Sequence, residues 1–395
     1  MLCQEKIKPR PARPTPESIQ TMKQTDIKDL SSEDLTDWLK DRGFAPFRAR
    51  QILKWIYGRQ ADDFAAMTDL KKDIRLLLAD EFSIPRLDVE TVAESRDGSR
   101  KYLFHLADDR HIETVLIPEK DHHTLCVSTQ VGCAQGCGFC MTAAGGFERN
   151  LSAGEIIAQV RDIRRDLGAA PPLRMSNIVF MGMGEPLANY RNLIQALGVI
   201  TDSAHGLGFS TRRVTVSTAG LVPRMADLGR DTEVNLAVSL NAADDETRNR
   251  IMPINRTYPI DQLLAACQDY PLKPRRRITF EYILMKGIND APADARKLVK
   301  LLHPIRSKVN LIPFNEHPGS RFERPSPEAI DGFQQILLDA NMTVIIRHSK
   351  GQDIGAACGQ LRGGKLPSWK KPGTYLEMAG VNLSSAILEE REAGP

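Results

Sequence analysis

The chain has 395 residues, of which 42% are hydrophobic and 26% charged, a composition typical of a globular protein. No run approaches the roughly 18 apolar residues of a membrane helix, and the first 20 residues lack the apolar core of a secretory signal, so we expect a cytoplasmic protein. A formal net charge of +3 permits a nucleic-acid partner without requiring one. Seven cysteines, an odd number, favour metal or redox chemistry over structural disulfides.

The pattern changes three times in the N-terminal part of the chain. Residues 1–25 are polar and rich in proline, which predicts a mobile tail. Residues 26–86 have helical periodicity, with Ser31 and Asp34 at the spacing of a capping box, and predict a small helical domain. Residues 87–118 contain three short apolar runs separated by turn residues, which predicts a short antiparallel β extension.

From residue 119 to residue 350, predicted strands alternate with predicted helices, as in a parallel α/β barrel. The predicted strands are 124–130, 177–181, 213–218, 232–240, 277–284, 308–313 and 343–347. About six β/α units are fewer than the eight of a complete barrel, so we predict a partial (β/α)6-type barrel followed by a C-terminal segment, residues 351–395. In such a fold, functional residues concentrate at the C-terminal ends of the strands.

Three cysteines form a C-x3-C-x2-C motif in the loop after the first predicted barrel strand: Cys133, Cys137 and Cys140. A zinc site usually has four ligands, but no fourth Cys or His lies at normal finger spacing, and His122 and His123 are wrongly spaced. Three cysteines instead suit a [4Fe–4S] cluster that leaves one iron open for a substrate or cofactor. The spacing therefore favours an iron–sulfur cluster, with zinc as the alternative.

Short polar residues and glycines follow the ends of several predicted barrel strands. These residues are Gly184 and Glu185, then Ser217, then Ser239, Leu240 and Asn241, and finally Asn315. The stretch around Glu185, Met-Gly-Met-Gly-Glu-Pro, is not a dinucleotide fingerprint, because a proline interrupts the glycine spacing. Any one of these residues alone would more often be a cap or turn residue. Their recurrence at successive strand ends favours a cofactor site.

The cysteine motif after the first strand of a partial barrel resembles the radical-SAM superfamily, and the order of motifs is similar to that of the radical-SAM RNA adenine-C2 methyltransferases. The similarity extends over about residues 30–372. It rests on the helical domain, the cysteine motif, the Met181–Pro186 and Val216–Gly220 stretches, Asn310–Pro313 and the closing motif Gly351–Leu361. One departure is Asn241, where a histidine is commoner in the family.

This resemblance implies the cofactors and partners. It implies one [4Fe–4S] cluster per chain, held by the three motif cysteines, and two S-adenosylmethionine molecules per turnover, bound by the strand-end residues. An electron from the cluster cleaves the second molecule to a 5′-deoxyadenosyl radical. The implied substrates are 23S rRNA and tRNA, with a reducing system such as flavodoxin as electron source, and we expect a monomer.

The resemblance also assigns roles to Cys126, Cys358 and Glu113. Cys358 is first methylated, its S-methyl group loses a hydrogen to the radical, and the methylene radical adds to the base. Cys126 then attacks the Cys358 sulfur, which releases the product and leaves a transient disulfide. Glu113 takes the proton that leaves the base carbon. From the residues alone, buried apolar cysteines and a solvated strand glutamate are the simpler interpretations.

RNA must present its base to a buried site, and basic clusters are the candidates for binding it. The clusters are Lys273, Arg275, Arg276 and Arg277; Arg362, Lys365, Lys370 and Lys371; and Arg42, Arg48, Arg50 and Lys54 of the helical domain. Two alternatives to the C2 activity stay open. One is methylation at adenine C8 by the sister family, and the other is a non-enzymatic iron–sulfur or zinc RNA-binding protein.

Overall fold

The computed structural model describes residues 24–168 and 174–364. Most of the predicted tail and the end of the predicted C-terminal segment, including Lys365, Lys370 and Lys371, lie outside these residues. No helix within them has the length and apolar character needed to cross a membrane. The described residues form an α/β structure built on one ten-stranded sheet.

Three helices and a two-stranded parallel sheet make up the N-terminal part. In chain order these are β1 (Thr25–Asp26), α1 (Ser32–Asp41), α2 (Arg48–Leu53), α3 (Lys72–Glu81) and β2 (Phe82–Ser83), with β1 paired to β2. The predicted capping box at the start of α1 is confirmed. The Ser31 hydroxyl accepts a hydrogen bond from the Asp34 amide, and the Asp34 carboxylate accepts one from the Ser31 amide, both at 3.0 Å.

The predicted β extension is present, and it is continuous with the barrel sheet. Strands β3 (Asp88–Glu94), β4 (Arg100–His105) and β5 (His111–Pro118) are antiparallel, and β5 also pairs antiparallel with β6 (His122–Cys126), the first barrel strand. The extension therefore forms one edge of the ten-stranded sheet rather than a separate layer.

The remaining elements follow the predicted alternation of strands and helices. The strands are β7 (Gln130–Gly132), β8 (Phe147–Asn150), β9 (Arg174–Phe180), β10 (Val214–Thr218), β11 (Asn235–Ser239), β12 (Ile278–Leu284), β13 (Ser307–Pro313) and β14 (Val344–Ile346). The helices are α4 (Met141–Ala144), α5 (Ala153–Asp166), α6 (Tyr190–Thr201), α7 (Val222–Asp231), α8 (Asp245–Ile251), α9 (Ile260–Gln268), α10 (Pro292–Leu302) and α11 (Pro327–Asp339).

Seven parallel strands form the barrel, in the order β14-β13-β12-β11-β10-β9-β6. Because β6 pairs with β5 on its other side and not with β14, the barrel stays open, as predicted. Several predicted strand boundaries differ from the observed ones by one to three residues, and the end of the first barrel strand differs by four. The strand expected at 124–130 ends at Cys126, since the chain then leaves the sheet and Gln130–Gly132 pairs with β8 as a separate hairpin.

Side chains of β12 alternate between the two faces of the sheet, as strand geometry requires. Tyr282 lies on the helix side, with its ring centroid 5.4 Å from that of Phe333 in α11. Its neighbour Glu281 therefore faces the barrel interior, where it is 5% exposed. A carboxylate is thus held inside the barrel by strand alternation alone.

A buried arginine on α5 joins the N-terminal helices to the barrel. The Arg161 side chain is fully buried and donates to the carbonyl oxygens of Ile56 at 3.1 Å and Ala61 at 2.8 Å. It also contacts the carboxylates of Asp62 and Asp162. The guanidinium thereby supplies hydrogen bonds to several buried oxygen acceptors that water does not reach.

We expect Arg161→Ala to lower the free energy of unfolding by about 3–5 kcal/mol, because it leaves buried acceptors and a buried carboxylate without their partner. The matched control is Arg165→Ala on the same helix. Arg165 also contacts Asp62, but its side chain is 42% exposed, so its loss should cost at most about 1 kcal/mol. Urea unfolding of both variants measures the difference, and equal losses would contradict the assignment of Arg161 as the joining residue.

Candidate active site

A cavity that is partly open to solvent lies at the C-terminal ends of the barrel strands. Its lining comes from the ends of β6 and β9 to β12, from the loop that contains the three motif cysteines, and from the segment after β14. The cavity is therefore at the end of the barrel where the sequence placed the functional residues.

The cysteine loop is held between the strands of the β7–β8 hairpin, in which Gln130 pairs with Asn150 and Val131 with Arg149. Gly132 has a φ of +76°, and a Cβ there would lie 1.8 Å from the carbonyl oxygen of Gly146. Only glycine lets the two strands approach this closely, and the Cys133 amide then donates to Gly146 at 2.8 Å. The hairpin thus fixes where the loop begins.

Cys133, Cys137 and Cys140 all line the cavity, so the structure brings the three motif cysteines together. Burial raises the pKa of the Cys133 and Cys137 thiols well above their usual range, so a bound metal is what would deprotonate them. In the described residues, no three His, Cys, Asp or Glu side chains are placed to share a single metal ion. A four-iron cluster has no such requirement, because each thiolate binds a different iron, and the three-thiol donor set fits that cofactor.

Glu185 is a buried carboxylate in the wall of the cavity. Its two oxygens accept hydrogen bonds from the amides of Leu187 at 3.1 Å and Ala219 at 2.7 Å. Burial raises the pKa of Glu185 to about 7. The preceding residue, Gly184, has a φ of +102°, and a Cβ there would lie 2.6 Å from the Cβ of Gln130. Glycine therefore lets the chain before Glu185 pass close to Gln130. The site therefore presents a partly protonated acid to a ligand.

The other predicted cofactor residues divide into two groups. Ser217 and Ser239 line the cavity, whereas Leu240, Asn241 and Asn315 do not. Asn241 has a φ of +58°, and its side chain accepts from the Ile283 amide at 2.9 Å, so it is used to hold β12. Asn315 donates to the carbonyl oxygen of Cys358 at 3.2 Å, which places it behind the cavity wall.

Arg248 is a residue that sequence reasoning missed. It is fully buried and donates to the carbonyl oxygens of Ala219 at 2.7 Å, Leu240 at 2.9 Å and Ser239 at 3.1 Å. It thereby fixes the ends of β10 and β11, where the cavity serines lie. Its helix is rich in charged residues, a pattern that indicates a solvated surface, so the local sequence contained no signal for this role.

The segment that follows β14, residues 351–364, closes one side of the cavity, and we call it the closing segment. The turn between β3 and β4 holds its start, where Asp97 accepts from the Gly351 amide at 2.7 Å and Ser95 donates to Asp353 at 2.6 Å. The cysteine loop holds its end. There the Met141 amide donates to the Gly359 carbonyl oxygen at 2.7 Å, and the closing segment thus lies against the cysteine loop.

Cys126 and Cys358 both line the same cavity as the motif cysteines, although they are far apart in the chain. Burial, with a smaller contribution from the charge of Cys358, raises the pKa of the Cys126 thiol to about 12. Burial also raises the pKa of the Cys358 thiol. Arg347 lines the cavity and its charge lowers the pKa of both thiols. Arg347 was not singled out from the sequence.

Glu113 is buried and 2% exposed, so the simpler interpretation as a solvated strand residue is wrong. Pairing in the middle of β5, next to the closing segment, removes it from solvent. Its Oε2 accepts hydrogen bonds from the amides of Arg362 at 2.6 Å and Gly363 at 3.2 Å, and its Oε1 lies 3.0 Å from Lys101 Nζ. It does not line the cavity.

The basic clusters lie in different places. Lys273, Arg275, Arg276 and Arg277 directly precede β12, at the end of the parallel sheet opposite the cavity, and Lys273 pairs with Glu233 at 2.9 Å. In the N-terminal part, Arg42 pairs with Glu81 at 2.8 Å. Arg362 is the basic candidate next to the cavity within the described residues, because it belongs to the closing segment.

Comparison with known proteins agrees with this arrangement. Residues 25–84 match the model of the ribosomal RNA large subunit methyltransferase N-terminal domain, and residues 127–299 match that of the radical SAM superfamily. The chain resembles a solved radical SAM methyltransferase from Sphaerobacter thermophilus with a TM-score of 0.79 and 44% identity, covering 86% of this chain and 99% of that one.

Two relatives are named dual-specificity RNA methyltransferase RlmN. The chain is 59% identical to that of Desulfosudis oleivorans over 85% of its own length and 90% of the relative's. It is 54% identical to that of Geotalea uraniireducens over 87% of its own length and 98% of the relative's. The chain therefore belongs to the RlmN family of dual-specificity RNA methyltransferases, within the radical SAM superfamily.

Proposed function

We propose that this chain is an S-adenosylmethionine-dependent RNA methyltransferase that adds a methyl group to C2 of adenine in 23S rRNA and tRNA. The observation that supports this most directly is that Cys126 and Cys358 face one cavity together with the three motif cysteines. A non-enzymatic RNA-binding protein has no use for these two further thiols. The sister C8 activity has less support, since the relatives above are named dual-specificity RNA methyltransferases.

In this proposal Cys133, Cys137 and Cys140 hold one [4Fe–4S] cluster. Gly184, Glu185, Ser217 and Ser239 contact S-adenosylmethionine directly, as their positions at the cavity wall favour. The cofactor site is completed by Leu240, Asn241 and Asn315. These residues act through backbone contacts or by positioning the strands that form the cavity wall. When bound, the cluster and S-adenosylmethionine supply a 5′-deoxyadenosyl radical, with electrons from a reducing system such as flavodoxin.

Cys358 is the methyl carrier in this proposal, and Cys126 releases the methylated product from it by attacking the Cys358 sulfur. Cys126 lies in a strand that pairs on both sides, so its position is fixed, whereas Cys358 lies in the closing segment. The Cys126 sulfur forms a bond to the Cys358 sulfur as the bond between Cys358 and the transferred carbon breaks. The resulting disulfide must be reduced before the next turnover.

Glu113 is the proposed acceptor of the proton that leaves the adenine carbon. The carboxylate is buried beside the closing segment, close to the residues that follow Cys358. Because its Oε2 is bonded to the Arg362 and Gly363 amides, these amides must move before Glu113 can reach a base in the cavity. The proposal therefore requires the end of the closing segment to shift when RNA binds.

RNA contact by Arg362 and by the N-terminal helices fits their positions better than contact by the cluster before β12, which is at the far end of the sheet. Phosphate contacts would make the affinity fall with salt. We expect the protein to act as a monomer in the cytoplasm. Mass spectrometry of nucleosides from rRNA and tRNA of cells lacking the protein tests the product, because loss of 2-methyladenosine from both RNAs is expected and loss of the C8 isomer would contradict the proposal.

Substituting the two cavity cysteines should block the reaction at different steps. Cys358→Ala removes the carrier, so no carbon–carbon bond to RNA forms, although the cluster assembles. Cys126→Ala leaves the carrier in place but removes the thiolate that attacks the Cys358 sulfur and releases the product. Protein covalently joined to RNA should therefore accumulate. A denaturing gel with and without ribonuclease measures this species.

Cys267→Ala is the matched control for this pair, since Cys267 is a buried helix cysteine away from the cavity lining. It should lose about 1 kcal/mol of stability or a little more and keep turning over. Normal methylation by the Cys126→Ala variant, with no RNA-linked protein, would disprove the role of Cys126.

Binding of S-adenosylmethionine should depend on pH through Glu185. Burial raises the pKa of this carboxyl to about 7, and only its ionised form attracts the cationic ammonium group. Affinity should therefore rise as the pH increases from about 6 to about 8 and level off above the pKa. Glu185→Gln should bind about tenfold to a hundredfold more weakly at high pH, because a charge-assisted hydrogen bond is lost.

Equilibrium dialysis of the cluster-loaded protein under anaerobic conditions measures this affinity. Glu323→Gln is the control, since Glu323 is an exposed carboxylate paired with Lys286 outside the cavity, and its pH profile should match that of the unchanged protein. A pH dependence that persisted in Glu185→Gln would assign the titration to another group.

A further inference from the structure

Glu281 has an unused carboxylate oxygen inside the cavity. Its Oε1 accepts a hydrogen bond from Asn310 Nδ2 at 2.9 Å, which fixes the orientation of the carboxylate. Its Oε2 is buried and has no hydrogen-bond partner among the described residues. A buried acceptor without a partner is costly, so this oxygen is positioned for a group that is present only during the reaction.

The other carboxylates near the cavity lack such an oxygen. Glu185 uses both oxygens to accept from the Leu187 and Ala219 amides. Glu113 is outside the cavity lining and is bonded to the closing segment and Lys101. Among the described carboxylates that line the cavity, Glu281 is therefore the one with an oxygen available to a proton.

Arg347 is the cation that Glu281 shares with the cavity thiols. Its amide donates to the Leu311 carbonyl oxygen at 2.8 Å, so the residue is fixed where β14 ends. Burial raises the pKa of Glu281, and the charge of Arg347 lowers it. Arg347 has the same effect on Cys358. Glu281, Arg347 and Cys358 all line the cavity, so the carboxylate and the thiol share one cavity with this positive charge.

We propose that Glu281 receives the thiol proton of Cys358 when this cysteine is methylated, and that Arg347 stabilises the thiolate. The inference rests on the proposed role of Cys358 as methyl carrier. The Cys358 sulfur forms a bond to the methyl carbon as the bond from that carbon to the sulfonium of S-adenosylmethionine breaks. The Cys358 proton passes through one water in the cavity to Glu281 Oε2, neutral S-adenosylhomocysteine leaves, and Glu281 later releases the proton to bulk water.

This transfer keeps the charge of the buried site constant. Before it, Arg347 faces a carboxylate and a neutral thiol, and after it, a thiolate and a neutral acid. Moving the proton to bulk water instead would leave two buried anions beside one arginine, which burial disfavours. The other ionisable groups that act on the pair are Cys140 and Cys126 on the side of Cys358, Lys308 on the side of Glu281, and Glu119 near Arg347.

The test is the pH dependence of Cys358 methylation. Cluster-loaded protein, with Cys358 shown to be unmethylated by peptide mass spectrometry, is mixed with S-adenosylmethionine without reductant, and methylated peptide is followed in time. The unchanged protein should give a nearly constant rate from the pKa of Glu281 up to a pH of about 9, because the proton stays within the pair wherever Glu281 is ionised. Glu281→Gln should be about a hundredfold slower near neutral pH, and its rate should rise about tenfold per pH unit.

A second measurement needs no cofactor. The rate at which iodoacetamide alkylates Cys358 in cluster-free protein is followed by mass spectrometry of the Cys358 peptide. This rate should be nearly independent of pH in the unchanged protein and should rise with pH in Glu281→Gln. Glu281→Asp keeps the charge and should keep the flat profile at a reduced rate. Glu323→Gln, the exposed control, should behave like the unchanged protein in both measurements.

Three outcomes would overturn the inference. Glu281→Gln with an unchanged rate and pH profile would exclude proton transfer to this residue. Glu281→Gln with weaker S-adenosylmethionine binding but an unchanged profile would show that Oε2 contacts the cofactor instead. If the unchanged protein never gains a methyl group on Cys358, the carrier role itself is wrong and the inference fails with it.

Discussion

The contact between the cysteine loop and the closing segment is the constraint on which the cavity depends. The Met141 amide donates to the Gly359 carbonyl oxygen at 2.7 Å, and the Thr142 hydroxyl donates to the Leu361 carbonyl oxygen at 2.6 Å. These bonds join residues that are 218 and 219 positions apart in the chain. They bring Cys358 against the loop that holds the motif cysteines, so the same two bonds determine both the shape of the cavity and its set of thiols.

Two arginines act at this cavity in different ways. Arg248 is fully buried and donates to three carbonyl oxygens at the ends of β10 and β11, so its hydrogen bonds hold the structure of the wall. Arg347 is half-buried and lines the cavity, and its charge offsets part of the rise in pKa that burial causes in Cys126, Cys358 and Glu281. One cation thus acts on several acidic groups of the same cavity.

The sequence predicted the parts of this protein that depend on local pattern. Cys133, Cys137 and Cys140 are recognisable by spacing, and the alternation of strands and helices indicated the open barrel. Glu281 lies inside β12 and Arg347 directly follows β14, and both were missed, since an isolated charge in or beside a strand has no pattern and only the fold determines which side it faces. The basic residues before β12 were considered for RNA binding although their position before a parallel strand already indicates the end opposite the cavity.

The open barrel has a mechanical consequence. No strand pairing joins β14 to the extension strands. The closing segment joins them instead, since Gly351 and Asp353 bond to Asp97 and Ser95, and the Arg362 and Gly363 amides bond to Glu113. Lys350, just before this segment, contacts Glu119 and the Pro118 carbonyl oxygen. Each such contact contributes on the order of 1 kcal/mol, whereas parting two paired strands would break a continuous ladder. The barrel thus has a seam beside the cavity that costs less to part than a strand pair, and every strand keeps its neighbours when the seam parts and re-forms.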